Sequence, residues 1–95
     1  MNSIPTVSVI LPAFETPESF LRDAIESVLA QEFTDFELLV MDDGIRRTVA
    51  DIVAGYPDER IRYCRNPHNL GMAATRNRGI ELAQGKLLAF LDHDD

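Results

Sequence analysis

Four short apolar runs recur along this chain, and each interval between them is long enough to hold a helix. They are Val7 to Leu11, Phe36 to Met41, Ile61 to Cys64 and Leu87 to Leu91. Each is strand-sized, and the runs at Val7, Phe36 and Leu87 are rich in aliphatic residues, without the regular apolar–polar alternation of a strand with one wet face. Such runs belong to strands covered on both sides, which is the environment of a parallel sheet.

The intervals read as helices. Thr16-Pro17-Glu18 is a helix start, with Thr16 as N-cap, Pro17 at the first helical position and Glu18 favourable to the helix dipole. The helix is expected to run to about Gln31, with Leu21, Ala24, Ile25, Val28 and Leu29 on one face. A weaker helix is predicted over Thr48 to Ala54, with Val49, Ile52 and Val53 inward. Asn66-Pro67-His68-Asn69 reads as a turn or loop. A third helix is predicted over Gly71 to Gln84, with Met72, Ala73, Ile80 and Ala83 on its apolar side and Gly85 as its C-terminal cap.

Strand and helix therefore alternate, which predicts an α/β fold: a mainly parallel sheet of about four strands with helices on both faces. Polar clusters follow three of the four strands: Pro12 to Glu15, Asp42 to Gly44 and Asp92 to Asp95. If the strands are parallel, all three clusters lie on one rim, at the strands' carboxyl ends, where such sheets bind ligands.

Bulk properties narrow the function. The 95 residues make one domain at most, and 45% hydrophobic with 26% charged residues is ordinary globular composition. A formal net charge of -7 argues against a nucleic-acid partner, which needs clustered Lys and Arg. Cys64 is the single cysteine, so no disulfide forms within the chain. Met1 to Thr6 shows no signal-peptide pattern, and no apolar run is long enough to span a membrane.

Each polar cluster has a ligand-binding reading and a plainer one. In Asp92-His93-Asp94-Asp95, two carboxylates one residue apart can share a hard divalent cation, which could hold a diphosphate and assist its departure; the plainer reading is a solvated acidic turn. Asp94 is the expected main ligand and Asp92 the assisting one. In Asp42-Asp43-Gly44, a carboxylate can accept from ribose hydroxyls or a uracil imide N–H; equally, Asp-Gly is ordinary turn chemistry. Pro12-Ala13-Phe14-Glu15 either lines a base pocket, with Phe14 beneath it, or sends Phe14 into the core and Glu15 to solvent. Arg76 either approaches the acidic rim and a diphosphate or forms a structural ion pair, while Arg78 reads as solvated. His68 and His93 lack partners at zinc-ligand spacing, and the glycines match neither a P-loop nor a dinucleotide fingerprint.

Taken in order, VSVILPAFE, SVLAQEFTDFELLVMDDG and NLGMAATRNRGIELAQGKLLAFLDHDD resemble the start of family 2 glycosyltransferases over nearly the whole chain. The resemblance implies a GT-A fold, a nucleotide-diphosphate sugar donor (UDP-linked above all) and Mg²⁺ or Mn²⁺. It implies that Pro12, Ala13, Phe14 and Glu15 border the nucleotide, that Asp43 with Asp42 binds uracil or ribose, and that Arg76 is the arginine of the family's A-x-R-N-x-G helix. Asp92, His93 and Asp94 would form the metal and diphosphate motif. Two departures stand out: Glu15 replaces the usual Asn, and Ile45-Arg46-Arg47 replaces the usual Ser-Thr-Asp.

The resemblance further implies that residues 1–95 are one truncated donor-binding domain, with the acceptor half and the general base expected beyond residue 95. The acceptor would be a glycan or lipid-linked glycan, and the setting cytoplasmic, at the inner face of the membrane in a full-length parent. Transfer would proceed with inversion, and no catalytic residue is expected within the chain itself. An unfinished sheet would favour association between copies. The runner-up reading is a non-catalytic association module.

Overall fold

The computed structural model describes residues 4–91. The elements run β1 (Val7–Ala13), α1 (Glu18–Leu29), β2 (Phe36–Asp42), α2 (Thr48–Ala54), β3 (Ile61–Arg65), α3 (Met72–Leu82) and β4 (Leu87–Phe90). The strands form one sheet in the order β3-β2-β1-β4, and every pairing is parallel. The expected α/β architecture is thus present, with all four strands parallel.

The register explains the two-sided burial. Val9 of β1 lies beside Leu38 of β2, and Leu38 beside Ile61 of β3. Leu11, Ala13, Phe36, Leu38 and Val40 point to one face, where Leu21, Ala24, Ile25 and Val28 of α1 and Val49, Ile52 and Val53 of α2 cover them. Ile10, Leu39 and Met41 point to the other face, where Cys64, Leu82 and Ala83 pack against them. Helices therefore cover both faces, and the central strands β1 and β2 carry most of the core.

Pro12, expected to close the first strand, lies within it. Its missing N–H costs nothing there. Alternate residues of β1 turn their backbone groups toward β4, as the Leu91 N–H to Ile10 carbonyl bond shows, and Pro12 belongs to that set. The β1–β4 pairing extends only to Ile10 and Phe90, so Pro12 removes no ladder bond in it.

Four local expectations are corrected. Thr16 does not cap α1: the residue before the helix is Pro17, and the Thr16 hydroxyl accepts the Phe14 N–H at 3.2 Å instead. The buried side of α3 is Thr75 and Gly79, with Ile80 exposed. A Cβ on Gly79 would lie 2.7 Å from Ile10 Cγ2, so the helix rides close to the sheet where it has no side chain. Gly85 is not the cap of α3, which ends at Leu82 and leaves through an extended Ala83. Gly85 serves β1 instead: its N–H donates to Ser8 Oγ at 2.8 Å, and a Cβ would sit 2.7 Å from the Ser8 nitrogen.

The fourth correction is β4. It was expected to be buried, yet all four of its residues are exposed, Leu87 at 60%. Among the described residues it is an edge strand, paired only with β1. Beside it, an apolar groove of about 310 Å³ runs between Phe33, Phe36, Val28, Ala89 and Phe90. Among the described residues, no helix is long and apolar enough to cross a membrane.

One polar cluster sits inside the sheet. Glu37, which interrupts the second apolar run, is buried in β2. Its carboxylate accepts from Ser8 Oγ at 2.6 Å, Arg62 Nη1 at 2.8 Å and the Gln84 N–H at 2.6 Å. Burial alone would raise its pKa, but these donors together hold it below the usual carboxylate value. The cluster ties β1, β2, β3 and the end of α3 at the sheet's amino end.

Candidate functional site at the carboxyl rim

Because the strands are parallel, Ala13, Asp42 and Arg65 end β1, β2 and β3 on the same side, and register places the three in one row. The Asp43 N–H donates to the Ala13 carbonyl at 2.8 Å, so the polar segments after β1 and β2 meet directly.

Asp43 is the hub of this rim. It is buried, and its carboxylate takes four protein donors. Oδ1 accepts from Asn66 Nδ2 and the Leu70 N–H, both at 2.7 Å; Oδ2 accepts from Asn69 Nδ2 at 2.8 Å and the Gly71 N–H at 2.9 Å. Burial pushes its pKa up, but the donors outweigh it and hold the carboxyl below its ordinary value. The Leu70 and Gly71 donors come from the segment leading into α3, whose partial positive charge favours a carboxylate. Gly71, at φ 90, holds the left-handed turn that aims its N–H at Asp43.

Asn66 fastens the same loop from beneath. It is buried, donates also to Thr75 Oγ1 at 2.9 Å, and accepts from Arg78 Nη1 at 2.6 Å. Arg78, expected to be solvated, is therefore a half-buried part of the frame. Thr75 bonds back to the Gly71 carbonyl at 2.7 Å. Asn66, Asn69 and Thr75 were not singled out from the sequence. The Asn-Pro-His-Asn stretch signalled only a turn, because which carboxylate it wraps depends on a residue more than twenty positions earlier.

Asp42 points to the opposite face of the sheet. Its Oδ1 accepts the Gly44 N–H at 2.9 Å, and its Oδ2 accepts the Tyr63 hydroxyl at 2.5 Å. Burial, then the bond to Asp42, pushes the Tyr63 phenol well up, so it stays a donor. Adjacent in sequence, Asp42 and Asp43 thus anchor different faces.

Glu15 neither points freely to solvent nor sits in ordinary backbone. Its φ of 49 is left-handed, a conformation Asn adopts more readily than Glu. Its carboxylate accepts the Ile45 N–H at 2.9 Å and pairs with Arg46 Nε at 3.2 Å. Arg65 reaches the same turn, donating to the Ile45 carbonyl at 2.5 Å. The Ile45-Arg46-Arg47 segment, without the usual capping residues, is thereby fastened by Glu15 and Arg65.

Phe14, expected either beneath a base pocket or in the core, is 46% exposed at the end of β1. Pro12 and Ala13 are buried behind it. Arg76 is half-buried on α3, one turn in from the helix start. Asp92, His93 and Asp94 lie outside the described residues. Among the described residues, no group of three or more His, Cys, Asp or Glu is gathered as for a metal.

A cleft of about 420 Å³ opens on the rim, lined by Glu15, Thr16, Arg46, Thr48 and Asp51 among others. A larger one, about 640 Å³, lies over Leu29 and Tyr56 to Arg60, by the amino end of β3. The rim is the better candidate site, because the backbone groups and buried carboxylates converge there and not at the larger cleft.

A parallel sheet covered on both faces, with buried Asp42, Asp43 and Asn66 gathered at its carboxyl ends, defines an α/β protein of the GT-A type. The chain belongs to glycosyl transferase family 2, whose family model matches residues 8–95. A protein of Bacillus subtilis named as a teichuronic acid biosynthesis glycosyltransferase, TuaG, is 39% identical over 96 residues, covering 99% of this chain and 38% of its own length. The succinoglycan biosynthesis protein ExoO of Rhizobium meliloti is 37% identical, covering 100% of this chain and 27% of its own length. The crystal structure of S. aureus TarS 1-349 superposes with a TM-score of 0.85 at 28% identity, over 95% of this chain and 28% of that one. The chain thus spans about a third of the length of the curated relatives it matches.

Proposed function

We propose that this chain forms the donor-binding part of an inverting glycosyltransferase that uses a nucleotide-diphosphate sugar, with UDP as the nucleotide. The observation that carries this reading is the rim itself: in a family 2 chain, exposed Phe14 stands at the end of β1 beside a frame built on Asp42 and Asp43. The base would lie over Pro12 to Glu15, with Asp43 and Asp42 as acceptors for uracil or ribose donors. Arg76, Asp92 and His93 would border the diphosphate. Asp92 and Asp94 would hold Mg²⁺ or Mn²⁺, which supplies positive charge to the departing nucleoside diphosphate. The acceptor hydroxyl of a glycan or lipid-linked glycan would attack the anomeric carbon from the opposite face and lose its proton to a carboxylate base. In a protein of the relatives' length, acceptor site and base would fall in sequence outside this chain. We place such a protein in the cytoplasm, at the inner face of the membrane.

A second reading has its own observation. The exposed apolar side chains of β4 suit an association module whose rim binds nothing. Thermal unfolding with UDP, with and without Mn²⁺, separates the two. A ligand that binds only the folded state raises its melting temperature. The donor reading expects a rise that needs both UDP and Mn²⁺ and is lost in Asp94→Ala. No rise in a cooperatively melting protein would refute it.

A further inference from the structure

If the donor reading holds with Asp43 as the acceptor of the uracil N–H, all four of that carboxylate's lone-pair directions are already taken. One present donor must therefore give way. The Leu70 and Gly71 N–H groups belong to the backbone entering α3 and cannot leave without moving the helix. Asn66 is 4% exposed, bonds also to Thr75 and Arg78, and would be stranded in the protein interior if it let go.

Asn69 differs on each count. It is exposed. Its side-chain amide makes only two contacts among the described residues, both to Asp43: the backbone carbonyl at 3.2 Å and Oδ2 at 2.8 Å. Released, the amide returns to water at little cost. Its amide N–H and an imide N–H are equivalent partners for a carboxylate oxygen.

We propose that Asn69 is a stand-in on Asp43 for the nucleotide's imide N–H: it keeps the carboxylate satisfied in the empty protein and is displaced when a uridine nucleotide binds. Asn69 then sets the affinity of the site, because the ligand competes with a group of the protein itself. The proposal rests on the donor reading above.

The test is calorimetric titration of the chain, in Mn²⁺, with UDP and with 3-methyl-UDP, which lacks the imide N–H. Asn69→Leu keeps the shape and removes the donor; Asn69→Ala is the second variant. Both are expected to bind UDP about three- to tenfold more tightly than wild type, the worth of one displaced hydrogen bond. Neither is expected to gain for 3-methyl-UDP. In the wild-type chain, the Asn69 side-chain amide resonances are expected to move to solvated values on adding UDP, a readout that needs no variant. If UDP binds wild type while the variants bind it equally or more weakly, or the Asn69 resonances stay put, the stand-in role is overturned and the donor reading survives. If UDP does not bind wild type at all, both fall.

Discussion

Replacing Asp43 by Asn changes one oxygen to an NH₂ group at the centre of the rim. Whichever way the amide turns, it keeps two of the four donors and sets a donor against the other two. In both orientations a backbone N–H, from Leu70 or Gly71, loses its acceptor. Two hydrogen bonds to a buried charged group are worth about 3 kcal/mol together, and an unsatisfied buried N–H adds about 1–2 kcal/mol. The expected loss is therefore about 4–5 kcal/mol, against a total of roughly 5–14 kcal/mol for a domain of this length. With a urea slope of about 1–1.5 kcal/mol per molar, the unfolding midpoint should fall by roughly 2 M or more. Urea titration followed by circular dichroism reads this directly, with exposed Asp23→Asn as a control expected to shift by less than about 0.5 kcal/mol. A loss below about 1 kcal/mol for Asp43→Asn would mean the four donors do not hold the loop, and the account of the rim would be wrong.

Stability should also depend on acid. Asp43 and Glu37 are both held below their ordinary values of 3.8 and 4.5, so on acidification the unfolded chain takes up protons before the folded one. Their contribution is expected to be complete at neutral pH, to begin failing as pH drops toward those ordinary values, and to be lost below the folded ones; urea midpoints that do not move between pH 7 and pH 3 would contradict it. Gly85→Ala would drive a methyl into the backbone of Val7 and Ser8 and is expected to cost about 1–3 kcal/mol by thermal melting. Leu88→Lys with Phe90→Lys should suppress concentration-dependent association in sedimentation velocity, since the exposed apolar side chains of β4 are its expected cause. Equal sedimentation of variant and wild type across concentrations would assign any association to another surface.

Much of this protein was determined by its sequence alone. The apolar runs at Val7 and Phe36, with helical patterns after them, determine a parallel α/β sheet, because only strands covered on both faces hide such runs. The parallel direction in turn gathers the segments after β1 and β2 on one rim, and the order of the three motifs carried the family. Other features were decided only in three dimensions. Leu87, Leu88 and Phe90 look like a core strand, but burial depends on what packs over a strand, and among the described residues little covers β4. Gly85 looks like a helix cap, but its small size is needed by the backbone of Ser8, a neighbour far away in the sequence. Asp42 and Asp43 look alike in a line of letters, yet strand alternation turns them to opposite faces, one to Tyr63 and the other to Asn66, Asn69 and the start of α3. Local pattern follows from a residue's own neighbours along the chain. The partners that satisfy a buried carboxylate come from wherever the chain returns, and that is settled only when the sheet has formed.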